Sequence, residues 1–376
     1  MVKKGIIWLH KWLGILSGIV VFILSITGCI YVFQDELKLC VYPERYFIAE
    51  PTFNAEPLPV SELLKIASQT LDEKEKISRL DLFPARDRTW IFRASQTDEN
   101  AFGHWNYQTY YKRVFINPYS GEVQQVENTK YEFFQVVLQM HLNLLLGKKI
   151  GHPVVGISTI IFTILLLSGI ILWWPKKWKK KSIKRGLTLY FQAKRKRLIY
   201  DLHNVLGFYG LLVALIIAIT GLAFAYPKFK EFYINSINVF EYRAPDKFAR
   251  EIPQVKFHNL DGALAYTLQK HPRADMMSLR FKGDGQKQDI QVRLQKDKTS
   301  DFLWYYFDLK NGQIEDVKTD ETSPLGGRVA AMNYDLHVGN IWGLPTKILY
   351  FFISLICASL PVTGYLMWSI KAKKRN

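Results

Sequence analysis

The chain has 376 residues, 49% of them hydrophobic and 22% charged, with a formal net charge of +17 at pH 7. An aromatic content of 14% excludes a disordered chain, and three cysteines over this length exclude a disulfide scaffold. The mean hydropathy of −0.03 resembles that of a soluble protein, but apolar and charged residues are segregated into blocks, the pattern of a membrane protein with water-exposed domains.

Four uncharged stretches match a bilayer core of ~30 Å at ~1.5 Å per residue. The first, residues 13–34, closes a segment 1–34 that opens on His10-Lys11-Trp12-Leu13-Gly14. Its apolar run is too long for a cleaved signal peptide, and no small-x-small site follows, so the reading keeps it as a span. Residues 35–130 form a first external domain. In it, 60–71 is an amphipathic helix with Leu63, Leu64, Ala67 and Leu71 on one face. Strand-like runs follow at 77–83, 89–94 and 110–116, and the turn Asn117-Pro118-Tyr119-Ser120-Gly121 leads to a return strand at 122–126. Residues 131–152 are a short interfacial segment carrying His141 and His152, and the second span is 153–175. A loop at 176–204 holds eleven Lys and Arg, all before residue 198.

The third span, 205–226, begins just after His203, and residues 227–324 repeat the first domain's pattern. The helix is expected at 262–269, the strands at 277–281, 289–294 and 304–309, a turn at Lys310-Asn311-Gly312, and a return strand at 313–317. A second interfacial segment, 325–347, carries His337 and precedes the fourth span, 348–370, where Pro361 is expected to kink the helix. A basic tail, 371–376, ends the chain. The predicted fold is an α-helical integral membrane protein, four transmembrane helices in a parallel two-fold repeat with two small α+β external domains.

Lysine and arginine set the orientation. The segments before span one, between spans two and three and after span four hold eighteen bases and one acid, Asp201, which accounts for the whole +17. These segments are read as cytoplasmic, with both termini inside and both domains outside. The basic excess is a topology and lipid head-group signal, and nucleic acid is not an expected partner.

The repeat spans half the protein. His10-Lys11-Trp12-Leu13-Gly14 matches His203-Asn204-Val205-Leu206-Gly207, and Ile26-Thr27-Gly28 matches Ile219-Thr220-Gly221, both at an offset of 193. Met140-His141-Leu142 matches Leu336-His337-Val338 at 196, and Leu172-Trp173-Trp174-Pro175 lies opposite Leu366-Met367-Trp368-Ser369 at 194. Such a repeat implies a pseudo-two-fold axis along the membrane normal, which lets equivalent residues face each other.

That symmetry sorts the histidines. His104, His258 and His271 lie in polar external segments and read as surface residues. His10 with His203, and His141 with His337, form two pairs, one at each face of the membrane. Two neutral imidazoles facing each other across a bundle can ligate one haem iron axially. The structural alternative is a backbone hydrogen bond or snorkelling at each ring. Zinc is disfavoured because no Cys, Asp or Glu accompanies a pair at ligand spacing. Asp201 and Asp335, each two residues before a histidine, read equally as partners of that histidine or as helix caps. His152 has no histidine at its repeat position. Trp8, Trp12, Trp173, Trp174, Trp178, Trp342 and Trp368 cluster at span ends as interfacial anchors. Gly14, Gly18, Gly28, Gly207, Gly210 and Gly221 suit either close helix approach or the flat face of a porphyrin. Cys29 and Cys357 read as small apolar fillers, and Cys40 stands alone outside.

Several blocks resemble the PepSY-associated transmembrane family: His10–Gly14, Met140-His141-Leu142-Asn143-Leu144-Leu145-Leu146-Gly147, Leu165–Pro175, Asp201–Phe208 and Leu336–Pro345. The resemblance covers nearly the whole chain. It implies a bacterial inner-membrane protein with two PepSY-like domains in the periplasm and b-type haem between the helices. The same likeness points to ferric-siderophore reduction, as some members perform it. Carried over residue by residue, His10, His203, His141 and His337 are the expected axial ligands, and His152 departs from the pattern. The expected cofactor is haem b, two per chain, and no acid–base catalytic residue is expected. The expected acceptor is a ferric siderophore or other ferric chelate. The electron donor is quinol or a separate protein, since no Gly-x-Gly-x-x-Gly follows a strand. The rival reading is a non-redox, membrane-anchored PepSY module that binds, senses or inhibits a partner. A third, carriage of the intact chelate inward, lacks the polar midplane and broken helices of a substrate path.

Overall fold

In a computed structural model of the chain, the described residues are 2–52, 54–175, 177–241, 253, 255–257, 259–281, 288–296, 298–308, 312–319 and 323–372. They divide into two compact units. One comprises residues 1–33, 137–230 and 336–376, and the other residues 34–136 and 231–335.

The first unit is built on four long helices, Val2–Tyr31, Lys148–Trp173, Arg195–Ala225 and Leu344–Ala372. Each is long and apolar enough to cross a membrane. All four begin before the uncharged stretches predicted for them, because a helix needs apolar side chains only where lipid surrounds it and continues through flanking polar residues, while the first three end slightly short of the predicted stretches. His10 and His203 therefore lie inside helices, about two turns from their N-termini. The helices form a closed ring in which the first and third each pack against both the second and the fourth. Leu166, Ala214, Ala218, Ile353 and Cys357 are buried between the second, third and fourth helices. Small residues set the spacing: a Cβ on Gly18 would sit 3.3 Å from Pro361 Cβ, and one on Gly210 would sit 3.3 Å from Ile356 Cγ2. Trp173 does more than anchor. Its indole stacks on Phe208 at 3.9 Å and its Nε1 donates to the Gly186 carbonyl at 3.1 Å, pinning the short basic helix Lys180–Leu187 to the bundle.

The second unit is one eight-stranded antiparallel sheet. Its strands are β1 (Ile77–Leu82), β2 (Trp90–Thr97), β3 (Gln108–Ile116), β4 (Val123–Asn128), β5 (Met276–Arg280), β6 (Gln288–Gln295), β7 (Lys298–Asp308) and β8 (Gln313–Thr319). The order is β4-β3-β2-β1-β5-β6-β7-β8, so two meanders, expected as separate domains, share a sheet through β1 and β5. The predicted strands all form, with ends shifted by a few residues. Lys310 and Asn311 of the expected second turn lie outside the described residues. On one face, Leu80, Phe92, Val114, Met277, Ile290 and Phe307 pack under two helices, Val60–Gln69 and Leu260–Lys270. On the opposite face Arg113 lies across from Arg93, Arg93 from Arg79, and Arg79 from Arg280. A row of like charges is unfavourable by itself. Asp81 resolves it by pairing with both Arg79, at 2.8 Å, and Arg93, while Asp289 takes Arg280 at 2.7 Å and Glu127 takes Arg113.

Candidate functional site: two histidine pairs in the helical unit

All four histidines of the expected ligand set lie in the helical unit, and they meet in the two expected pairs. His10 on the first helix and His203 on the third have ring centroids 6.3 Å apart, with planes at 81°. His141, on the short helix Phe133–Asn143, and His337, on Asn333–Val338, have centroids 6.1 Å apart with planes at 76°. Two metal–nitrogen bonds of about 2 Å, plus about 1.2 Å from each nitrogen to its ring centre, place the centroids of two imidazoles on opposite sides of one metal ~6.4 Å apart.

Local backbone geometry brings His141 and His337 into the bundle. After Asn143 the chain reverses through Leu144, Leu145 and Gly147, all with left-handed φ, before the second long helix starts at Lys148. Gly151 is needed there because a Cβ would land 1.7 Å from the Asn143 carbonyl oxygen. The corresponding reversal after Val338 uses left-handed Gly339 and Gly343. His141 then rests beside Gly28 on the first helix and His337 beside Gly221 on the third. His10 and Gly28 are eighteen residues apart on one helix, as are His203 and Gly221, so the two pairs lie ~27 Å apart along the helix axes.

Each imidazole meets a hydroxyl on a neighbouring helix through Nδ1. The separations are 2.8 Å for His10 and Ser168 Oγ, 3.0 Å for His203 and Thr363 Oγ1, 2.9 Å for His141 and Thr27 Oγ1, and 2.9 Å for His337 and Thr220 Oγ1. Every one of those hydroxyls donates its own proton to a carbonyl one turn back on its helix, namely Leu165, Ser359, Ile23 and Ile216. The oxygen is thus left as an acceptor, and Nδ1–H must be the donor. Nε2 of each neutral ring keeps its lone pair. Burial also lowers the pKa of His141 to about 4 and of His337 to about 3, which keeps both rings neutral at pH 7.

Directly after each hydroxyl comes a glycine: Gly169, Gly364, Gly28 and Gly221. A Cβ on these would lie 3.7 Å from His10 Cε1, 3.4 Å from His203 Cε1, 3.7 Å from His141 Cε1 and 3.3 Å from His337 Cε1. The glycines therefore leave room beside the imidazoles that a side chain would take. Gly18 and Gly210 instead would bring a Cβ within 3.3 Å of Pro361 and Ile356, so close helix approach is their role, while Gly14 and Gly207 lie at ordinary contact distance from Leu165 and Leu360. A bare ion would find two protein donors at each pair, since no group of three or more His, Cys, Asp or Glu side chains gathers among the described residues. A porphyrin supplies the missing donors itself. The separation, the free Nε2 and the glycine beside each ring fit haem.

A family model described as PepSY-associated TM region matches residues 7–371, a span that includes all four histidines. The chain belongs to that family. No curated protein matches it. With four membrane-spanning candidates in the match, this PepSY-associated protein is a multi-pass membrane protein.

The remaining candidates separate clearly. Asp201 neither contacts His203 nor caps a helix: both its oxygens pair with Arg197, at 2.8 Å, one turn earlier on the same helix. Asp335 accepts the Ser300 backbone N–H at 3.1 Å. His152 is half-buried and joins neither pair. His104, expected at the surface, is 1% exposed, donates from Nε2 to the Lys130 carbonyl at 2.8 Å, and packs on Trp105. Its burial left no local trace in the sequence, because part of the cover comes from Thr129–Tyr131, a separate segment. His271 bonds the Tyr305 hydroxyl at 2.7 Å, and His258 lies outside the described residues. Thr27, Ser168, Thr220 and Thr363 were not singled out from sequence as site residues. The available signal was the Ser/Thr-Gly dipeptide, present once in each of the last three spans and twice in the first, as Ser17-Gly18 and Thr27-Gly28.

Proposed function

We propose that this chain is a bacterial inner-membrane protein that carries two b-type haems and reduces ferric chelates on the periplasmic side. One haem belongs on His10 and His203, the other on His141 and His337. The observation that carries the reading is the pairing itself: two imidazole pairs at the separation of one bridging metal, with every Nδ1 spent on a hydroxyl and every Nε2 left free. When bound, haem supplies a one-electron iron couple in a setting tuned by its axial ligands and their hydrogen bonds.

The rest is the work of the chain's own residues. The four histidines present nitrogen donors, the hydroxyls fix their orientation, and the apolar bundle around Leu166, Ala214, Ala218 and Ile353 keeps water away. Placing the pairs ~27 Å apart along the helices puts one near each edge of a ~30 Å hydrocarbon core. The basic excess supports cytoplasmic termini and a cytoplasmic basic loop, with the sheet unit in the periplasm. The matched sequence blocks and the like order of the two meanders support a parallel two-fold repeat and two PepSY-like halves.

The balance of the reaction is simple. Each ferric ion takes up one electron and becomes ferrous, while a quinol gives two electrons and releases two protons, so one quinol serves two ferric ions. A partner protein as donor would supply the electrons singly. Ferrous iron is a poorer match for hard oxygen donors, so reduction loosens the chelate and frees the metal.

The test is reoxidation. Purified, haem-loaded protein is reduced with dithionite, freed of excess reductant and mixed anaerobically with ferric hydroxamate or ferric catecholate chelates. Loss of the reduced b-type band, with one ferrous ion trapped per haem oxidised, is expected. A reduced band that persists with every ferric chelate would remove the reductase assignment.

A further inference from the structure

We infer that the hydroxyls of Thr27, Ser168, Thr220 and Thr363 are positioning residues that hold each histidine in its Nδ1–H tautomer and tune the potential of the group it ligates. The inference rests on the haem reading above and goes beyond it by assigning these four residues a role. It begins from a constraint of helical membrane segments. A serine or threonine hydroxyl there has its proton taken by a carbonyl of its own helix, and all four hydroxyls here do so at 2.7–3.1 Å. What each offers a neighbouring helix is an acceptor, and the group at 2.8–3.0 Å is a histidine Nδ1 in every case. Four occurrences on four different helices make this a rule of the site, not a local accident. An acceptor on Nδ1–H makes the imidazole more electron-donating through Nε2, which favours the ferric over the ferrous ligand field. Removing it should therefore raise the midpoint potential.

The four positions are not equivalent. His203 also has the Leu360 carbonyl at 3.1 Å from Nδ1, and His337 has the Ile217 carbonyl at 3.1 Å. The Leu24 carbonyl backs His141 in the same way. Among the described residues His10 has Ser168 alone. Deleting a threonine hydroxyl leaves its histidine a carbonyl to donate to, whereas deleting the Ser168 hydroxyl leaves His10 with no acceptor among the described residues. Ser168→Ala should therefore show the largest effect.

The experiment is a potentiometric titration of detergent-purified, haem-loaded protein, with low-spin ferric EPR recorded on the same samples. Ser168→Ala, Ser168→Thr, Thr220→Val and Thr363→Val are compared with the parent. Ser168→Ala is expected to shift one of the two midpoints upward and change one EPR signal. Ser168→Thr, which keeps a hydroxyl, is expected to stay at the parent value. Thr220→Val should move the other midpoint by less, as should Thr363→Val for the same station as Ser168. A merely structural role would lower haem content and leave the surviving midpoints in place. Midpoints and EPR signals unchanged in Ser168→Ala, Thr220→Val and Thr363→Val would overturn the inference while the haem reading stood. A parent protein that binds no haem would overturn both. If Ser168→Ala fails to assemble, the two valine variants still decide the matter.

Discussion

A histidine in an apolar bundle is costly unless its polar atoms are matched, and here each Nδ1 is matched by a hydroxyl on another helix. The glycine after each hydroxyl is the second half of the device. A Cβ at Gly221 would come within 3.3 Å of His337 Cε1, so the branched side chain of Gly221→Val must displace the ring. That variant is expected to lose the haem of the His141–His337 pair and keep the other, read as haem per chain falling from about two to about one. The histidines themselves were legible because the duplication places His10 on His203 and His141 on His337. Their hydroxyl partners were not. A Ser/Thr-Gly dipeptide in an apolar run reads as small-residue packing, and each partner lies more than a hundred residues away on another helix.

Among the elements, the strands were readable from alternation, and Leu80, Leu82, Phe92 and Val114 do face one core. The joining of β1 to β5 was not, since pairing between strands two hundred residues apart leaves no local trace. The seam is held by Asp81, which contacts Arg79, Arg93 and, across the joint, Ser278. Burial pushes the Asp81 carboxyl up, but the charges of Arg93 and Arg79 outweigh it and hold the pKa below the usual carboxylate range. A carboxyl lowered in the folded state contributes its full stabilisation above an unfolded value of ~4, and that contribution is lost as pH falls through the folded value. Asp81→Ala is expected to cost about 3 kcal/mol, because it leaves two arginines facing each other with no counter-charge. Urea unfolding of the purified protein at pH 7 and at pH 3 measures this. The variant and the parent should differ at pH 7 and converge toward pH 3. An equal gap at both would show that the carboxylate is not the source.

At the scale of the whole molecule, the charge ledger and the span count carry the topology, and the cysteines test it without any engineering. Cys40 is exposed and lies in the sheet unit, whereas Cys29 and Cys357 are buried in the bundle. A membrane-impermeant maleimide applied to spheroplasts is expected to label the protein once, at Cys40, and Cys40→Ser should abolish labelling. Labelling only after permeabilisation would place the sheet unit inside. The measurement that bears most directly on the haem reading is pyridine-haemochrome quantitation on detergent-purified, haem-supplemented protein, repeated on His10→Ala and His337→Ala. About two haems in the parent and about one in each variant are expected, since each variant dismantles one pair. A parent without haem would contradict the redox reading and leave the four histidines as structural residues of the bundle.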